Sequence, residues 1–223
     1  MTPLKKLGPV AAVGIAVLAL APAALAATVR VNRPCYVAPK PGVGANIGVS
    51  GEGYAPGEAV FVHVLAPGGL LAFTETTIAP DGTLRAALHD VSPESIDPIV
   101  ERKTLQVVGV LSGAVLSEAE VKLTNLTIRT RPSTAPAQRR VTYRFSGFKP
   151  GRPIFGHYLV HGHAVLRHKF GKAHGPCGTL KSKARIFPGN ARNHHKYGVQ
   201  FDGHRKYSKR TRPAIVTSVT LGI

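Results

Sequence analysis

Tryptophan is absent from this 223-residue chain, methionine occurs once and cysteine twice. Two cysteines cannot make a multi-bridge disulfide framework, nor can they supply a four-cysteine zinc site. Negative charge is scarcer still toward the C-terminal end, where residues 128–223 contain one acid, Asp202. That half therefore has no pair of carboxylates for general acid–base work. Gly-x-Ser-x-Gly, His-Glu-x-x-His and a phosphate-cradling glycine loop are also missing, so the chain carries none of the hydrolase, zinc-protease or nucleotide-binding signatures. With 24 glycines and 18 prolines, the chain is interrupted too often for long helices. An all-β protein is expected, with no enzymatic activity and no cofactor.

Two pentapeptides organise what is present. Gly53-Tyr54-Ala55-Pro56-Gly57 and Gly147-Phe148-Lys149-Pro150-Gly151 lie 94 residues apart, and each joins two strand-like runs. Glycine supplies positive φ and proline fixes its own φ, so each pentapeptide reads as a turn. Other landmarks shift by nearly the same amount: Thr28-Val29-Arg30 answers Thr127-Ile128-Arg129 at 99, and Gly82-Thr83-Leu84-Arg85 answers Gly178-Thr179-Leu180-Lys181 at 96. Such a period is too long for a solenoid and fits an immunoglobulin-like sandwich, with about 100 residues and about seven strands. The spacing predicts two tandem immunoglobulin-like β-sandwich domains, at 27–126 and 127–223, after a leader at 1–26. The alternative is one larger barrel or jelly roll.

In the leader, Lys5 and Lys6 precede an apolar run from Leu7 to Leu20, followed by Ala24-Leu25-Ala26. This is the order of a secretory signal peptide, so cleavage is expected after Ala26 and the product is expected outside the cell or in the cell wall. The alternative is an uncleaved anchor, because the run approaches the roughly 20 residues a span needs; Pro22 and the small residues favour cleavage. No later segment is apolar enough to span a bilayer. In an oxidising space Cys35 and Cys177 are expected to pair, tying one repeat to the other; two separate buried thiols are the alternative.

Alternation marks the strands. Over 59–65, Phe61, His63 and Leu65 share one face while Val60, Val62 and Val64 share the other. Over 140–145, Val141, Tyr143 and Phe145 face one way and Arg140, Thr142 and Arg144 the other, as in a strand with one wet side. Further strands are expected at 28–31, 46–50, 71–78, 83–88, 105–111 and 118–126. In the second repeat they are expected at 127–130, 153–160, 164–170, 179–187, 197–201 and 215–221. The proline-bearing stretches 34–44 and 90–97 read as connections.

Charge separates the repeats. Residues 28–127 hold seven Lys and Arg against ten acids, whereas 128–223 hold twenty against Asp202 alone; with Lys5 and Lys6 the whole chain carries +18. Like charge confined to one repeat opposes compaction there and points to a polyanionic partner. Solubility or adaptation to an acidic habitat is the plainer alternative. The cations cluster at Arg139-Arg140, at Lys181, Lys183 and Arg185, and at Arg205-Lys206 through Lys209-Arg210 to Arg212, which together form the candidate polyanion-binding set. Lys181, Lys183 and Arg185 alternate, so a strand would align them in a stripe suited to a linear polymer. The expected partner is an anionic cell-wall polymer bearing phosphate or carboxylate, or another polyanion such as anionic lipid head groups, extracellular DNA or an acidic glycan, bound with low specificity. Tyr143, Tyr197 and Tyr207 lie near the charges, but no nucleic-acid motif accompanies them, so sequence-specific nucleic-acid reading is not expected. The alternative function is a secreted carrier holding an apolar small molecule in a pocket of one sandwich.

Three weaker chemical signals remain. His157, His161 and His163 have one strand parity and could approach a metal, yet carboxylates to complete a site are lacking, so no metal is expected. Cys177 has Lys172 and His174 near it, which could activate a thiol, although a nucleophile is unusual in an oxidising space. Asn125-Leu126-Thr127 matches a glycosylation sequon.

The Gly-aromatic-x-Pro-Gly turns, the first followed by Glu58-Ala59-Val60-Phe61-Val62-His63-Val64, resemble the immunoglobulin-like repeats of secreted and cell-surface actinobacterial proteins. From Phe145 through Gly175-Pro176-Cys177-Gly178 to Val199-Gln200-Phe201-Asp202, the second half resembles basic exported proteins of that phylum. That resemblance covers about half of the chain and implies no activity. The first half is also similar to enediyne-carrying apoproteins of the neocarzinostatin type, which are secreted immunoglobulin-like sandwiches. Those pair cysteines within the one domain, where this chain has Cys35 alone.

Overall fold

The computed structural model describes residues 26–40, 42–97, 99–133, 136, 139–187 and 196–220; the leader therefore lies outside the described residues, apart from Ala26. In the first repeat the strands are β1 (Thr28–Val31), β2 (Tyr36–Ala38), β3 (Ala45–Glu52), β4 (Ala59–Ala66), β5 (Gly69–Thr77), β6 (Leu84–Val91), β7 (Glu101–Gly109) and β8 (Val115–Asn125). In the second they are β9 (Thr127–Arg131), β10 (Arg140–Ser146), β11 (Pro153–Val160), β12 (His163–Lys172), β13 (Leu180–Arg185), β14 (Lys196–Asp202) and β15 (Ile215–Thr220). No described helix is long and apolar enough to cross a membrane.

Four sheets result: β1-β3-β6, β2-β8-β7-β4-β5, β9-β10-β13 and β12-β11-β14-β15. Matching β1 to β9, β3 to β10 and β6 to β13 superposes the two three-stranded sheets in order. Matching β4, β5, β7 and β8 to β11, β12, β14 and β15 does the same for the larger pair. The repeat extends to single hydrogen bonds. Tyr54 N donates to Gly82 O at 3.2 Å and Phe148 N to Gly178 O at 3.2 Å; Gly57 N donates to Ile78 O and Gly151 N to Ala173 O. Gly53, Gly57, Gly147 and Gly151 all have φ between 73° and 83°, the left-handed region that a side chain disfavours. The two pentapeptides are thus one turn used twice, and each sends its aromatic residue inward, leaving Tyr54 and Phe148 buried.

Two apolar clusters form, one around Ile47, Val62, Leu84, Leu105 and Val107, the other around Tyr143, Phe145, Tyr158, Phe170 and Phe201. The alternation in β4 and β10 places its residues as expected, with Val60, Val62 and Val64 fully buried and Val141, Tyr143 and Phe145 inside. Two differences from the sequence reading have physical causes. A short strand, β2, lies in the stretch read as a connection and pairs in parallel with β8; three residues are too few to show a period. Strand β7 begins at Glu101, four residues earlier than hydropathy suggests, because Lys103 is buried with ion pairs to Glu94 and, at 3.2 Å, to Glu101.

Only Leu126 separates β8 from β9. Its side chain joins the second cluster, where Val37 of β2 also packs. Ser146 Oγ donates to Asn125 O at 2.7 Å across this junction. Cys35 and Cys177 close it with a disulfide spanning 142 residues of sequence, with Cα atoms 5.3 Å apart.

Candidate functional site

Strand β10 carries its apolar residues inward, so Arg140, Thr142 and Arg144 must face out. Register fixes their neighbours. Arg144 stands opposite Lys181 on one side and Arg129 on the other; Thr142 stands between Lys183 and Arg131; Arg140 stands opposite Arg185. Directly opposed residues share a face. The outer surface of β9-β10-β13 is therefore a grid of cations: Lys181, Lys183, Arg185, Arg140 and Arg131 are exposed, and Arg129 and Arg144 are half-buried. Arg139 flanks the grid at the start of β10. The expected stripe on β13 is present, and the structure adds Arg129, Arg131 and Arg144 to it.

Carboxylates scarcely reach this surface. Among the described residues, Asp97 of the first repeat pairs with Arg129, while Arg140 Nη2 donates to the Lys183 carbonyl at 3.0 Å. Arg144 Nε is buried with no hydrogen-bond partner among the described residues.

The third basic cluster lies elsewhere. His157 has opposite parity to the core residue Tyr158, and Gln200 and Asp202 have opposite parity to the core residues Val199 and Phe201, so all three leave the outer face of the other sheet. They are nevertheless buried, with Asp202 at 0% exposure. The segment 203–212 folds over them. His204 N donates to Asp202 Oδ1 at 2.7 Å, Gln200 Nε2 donates to Asp202 Oδ2 at 2.7 Å and to Ser208 O at 2.9 Å, and His157 Nε2 lies 3.1 Å from His204 O. Arg167 Nη1 holds the Arg205 carbonyl at 3.1 Å. The one acid of this half thus serves as an internal clamp. It displays Arg205, Lys206, Lys209 and Arg210, all exposed, on the segment over the outer face of that sheet, while Arg212, also exposed, lines a cleft with Phe148 and Lys149.

Several other sequence signals resolve differently. Tyr143 and Tyr197 belong to the core and are not beside the surface charges; their strand parity, not their sequence proximity, decides. His161 sits in the β11–β12 turn with φ 50°, and this reversal sends His163 away along β12. His157, His161 and His163 do not converge, and no metal-holding group of three such residues occurs among the described residues. The disulfide consumes the Cys177 thiol. Asn125 is buried with Nδ2 donating to Ser95 O at 2.7 Å, which closes the sequon in the folded chain. That cleft, of about 310 Å³, is lined by Phe148, Lys149, Arg152, Pro153, Gly203, His204, Arg212 and Pro213, so half of its lining residues are basic or histidine and half are apolar or glycine.

No protein-family model matches the chain, and no curated protein does. Solved structures do. The human OSCAR ligand-binding domain aligns over 87% of this chain and 97% of its own, at 12% identity and a TM-score of 0.32. Bovine butyrophilin aligns over 88% and 99%, at 10% identity and 0.33. The all-β architecture, a three-stranded sheet paired with a larger one in each repeat, rests on the strand order itself. A tetra-tandem repeat from the extending region of a large adhesion protein aligns over 88% of this chain and 49% of its own, at 14% identity and 0.29. At these identities and scores no property of those proteins carries over to this chain.

Proposed function

We propose that this is a non-catalytic, exported or wall-associated protein whose second sandwich binds an anionic surface polymer electrostatically, with the near-neutral first sandwich as spacer or interaction domain. One observation carries the reading: Arg144 directly opposes both Arg129 and Lys181, and Arg140 opposes Arg185. Like charges so placed destabilise a sheet by up to about 1 kcal/mol per pair, and a bound polyanion relieves that repulsion. Arginine forks suit phosphate and carboxylate oxygens. Cations on one face of a strand recur about every 7 Å, which favours a linear polymer over a small ligand. The apolar-carrier reading gains nothing from the half-basic cleft.

The test is co-sedimentation of the full mature chain with purified phosphate-bearing wall polymer across a salt series. Capture at low salt that fades as salt rises is expected, because exposed charges are screened beyond about 8 Å at physiological salt. Capture indifferent to salt, or none at all, would overturn the electrostatic reading.

A further inference from the structure

We infer that the second sandwich is two-faced toward its polymer and acts as a cross-linker, bridging separate anionic chains. This rests on the proposed polyanion binding and goes beyond it. The structure divides the basic clusters between two surfaces. Lys181, Lys183 and Arg185 stand on the outer face of β13, whereas Arg205, Lys206 and Lys209 ride on the segment clamped over the outer face of β11 and β14. The two sheets enclose the cluster of Tyr143, Tyr158, Phe170 and Phe201 between them.

Packed sheets lie about 10 Å apart, and each cationic layer stands outside its own sheet. The two layers are therefore separated by more than the Debye length of about 8 Å at physiological salt, so each attracts anions independently. The clamp makes the second layer a fixed feature. Asp202 accepts from His204 N and Gln200, Gln200 also holds the Ser208 carbonyl, and His157 and Arg167 reach the His204 and Arg205 carbonyls, so the basic segment is pinned to its sheet through the backbone of His204, Arg205 and Ser208. A chain with one carpeted face would coat a polymer. Two opposed faces join two polymers, which would tighten an anionic wall layer.

The experiment mixes the full mature chain with long-chain inorganic polyphosphate, following binding by co-sedimentation and assembly by light scattering. Scattering is expected to rise as polymer is added and to clear when polymer is in excess, as each face finds its own chain. Two variants separate the faces: K181Q/K183Q/R185Q on the sheet and R205Q/K206Q/K209Q/R210Q on the segment. Each is expected to bind polyphosphate while losing most of the scattering. A short oligophosphate, unable to reach between proteins, is expected to dissolve the wild-type assembly, which tests bridging without any substitution. Soluble one-to-one complexes of the wild type would mean that a chain wraps both faces of one molecule and would overturn bridging while leaving polyanion binding intact. Undiminished scattering by either variant would also overturn it. No binding of polyphosphate by the wild type would remove both readings.

Discussion

The sheets β1-β3-β6 and β9-β10-β13 share one frame but carry different densities of positive charge. In the first, Arg30, Ser50 and Arg85 stand in one row across three strands; in the second, the matching row is Arg129, Arg144 and Lys181. Next along, Asn32, Gly48 and Ala87 become Arg131, Thr142 and Lys183. Arg30 has an acid beside it, Glu52 at 3.3 Å, but the matching Ser146 turns into the junction and is buried. The cores tolerate both versions because alternation separates the inner face, which decides folding, from the outer one, which does not. Charge was thus free to accumulate on one copy, and its cross-strand repulsion is a cost with no structural return.

Experiments can break or sharpen this contrast. The largest effect is expected at the disulfide between the copies. C35A/C177A opens a loop of 142 residues, which the chain-entropy account values at about 4–5 kcal/mol, and calorimetry should show an earlier onset and separated transitions. Next is Lys103→Met in the first sandwich. It leaves Glu101, whose side chain is only 10% exposed, without its cation and is expected to cost about 3 kcal/mol in urea unfolding, with the second sandwich unaffected. Burial opposes the charge on Lys103, but the hydrogen bonds to Glu94 and Glu101 outweigh it and hold the ammonium above its ordinary 10.5. That contribution is complete below about pH 10.5 and disappears as pH rises through the higher folded value.

A smaller change tests the cost of the grid itself. Lys181→Glu sets a carboxylate opposite Arg144 and is expected to raise stability by roughly 0.5–1 kcal/mol while weakening polymer capture. Arg85→Glu, at the matching position of the first sheet, should leave capture unchanged. A Lys181→Glu protein that is less stable, or that binds as before, would separate the grid from function. The smallest effect concerns His168, whose value burial and the nearby Arg140 hold below the ordinary 6.5. The unfolded chain takes the proton first, so stability should fall as pH drops below about 6.5, and His168→Gln should flatten that part of the curve.

The repeat was legible because its signals are local: positive φ at Gly53 or Gly147 is a property of one residue and its turn. Inner and outer faces were legible for the same reason in β4 and β10. Pairing was not. The alternation of Arg140 with Arg144 can be read along the strand, but nothing local shows that Arg129 and Lys181 flank Arg144, because register arises between strands distant in sequence. The burial of Asp202 was equally hidden, since it depends on the segment 203–212 folding back over its own sheet. Nothing local marks Lys103 as buried either, because its partner Glu94 arrives from the preceding connection.

The most direct measurement is the dependence of affinity on salt for the full chain against a phosphate polymer, compared with K181Q/K183Q/R185Q. Each phosphate contact contributes about 0.7–0.9 to the slope of log affinity against log salt on nucleic acids, so the slope is expected to fall by roughly two to three in the variant. A slope that does not change would mean that the β13 stripe touches no polymer, contradicting the cationic grid as the binding surface.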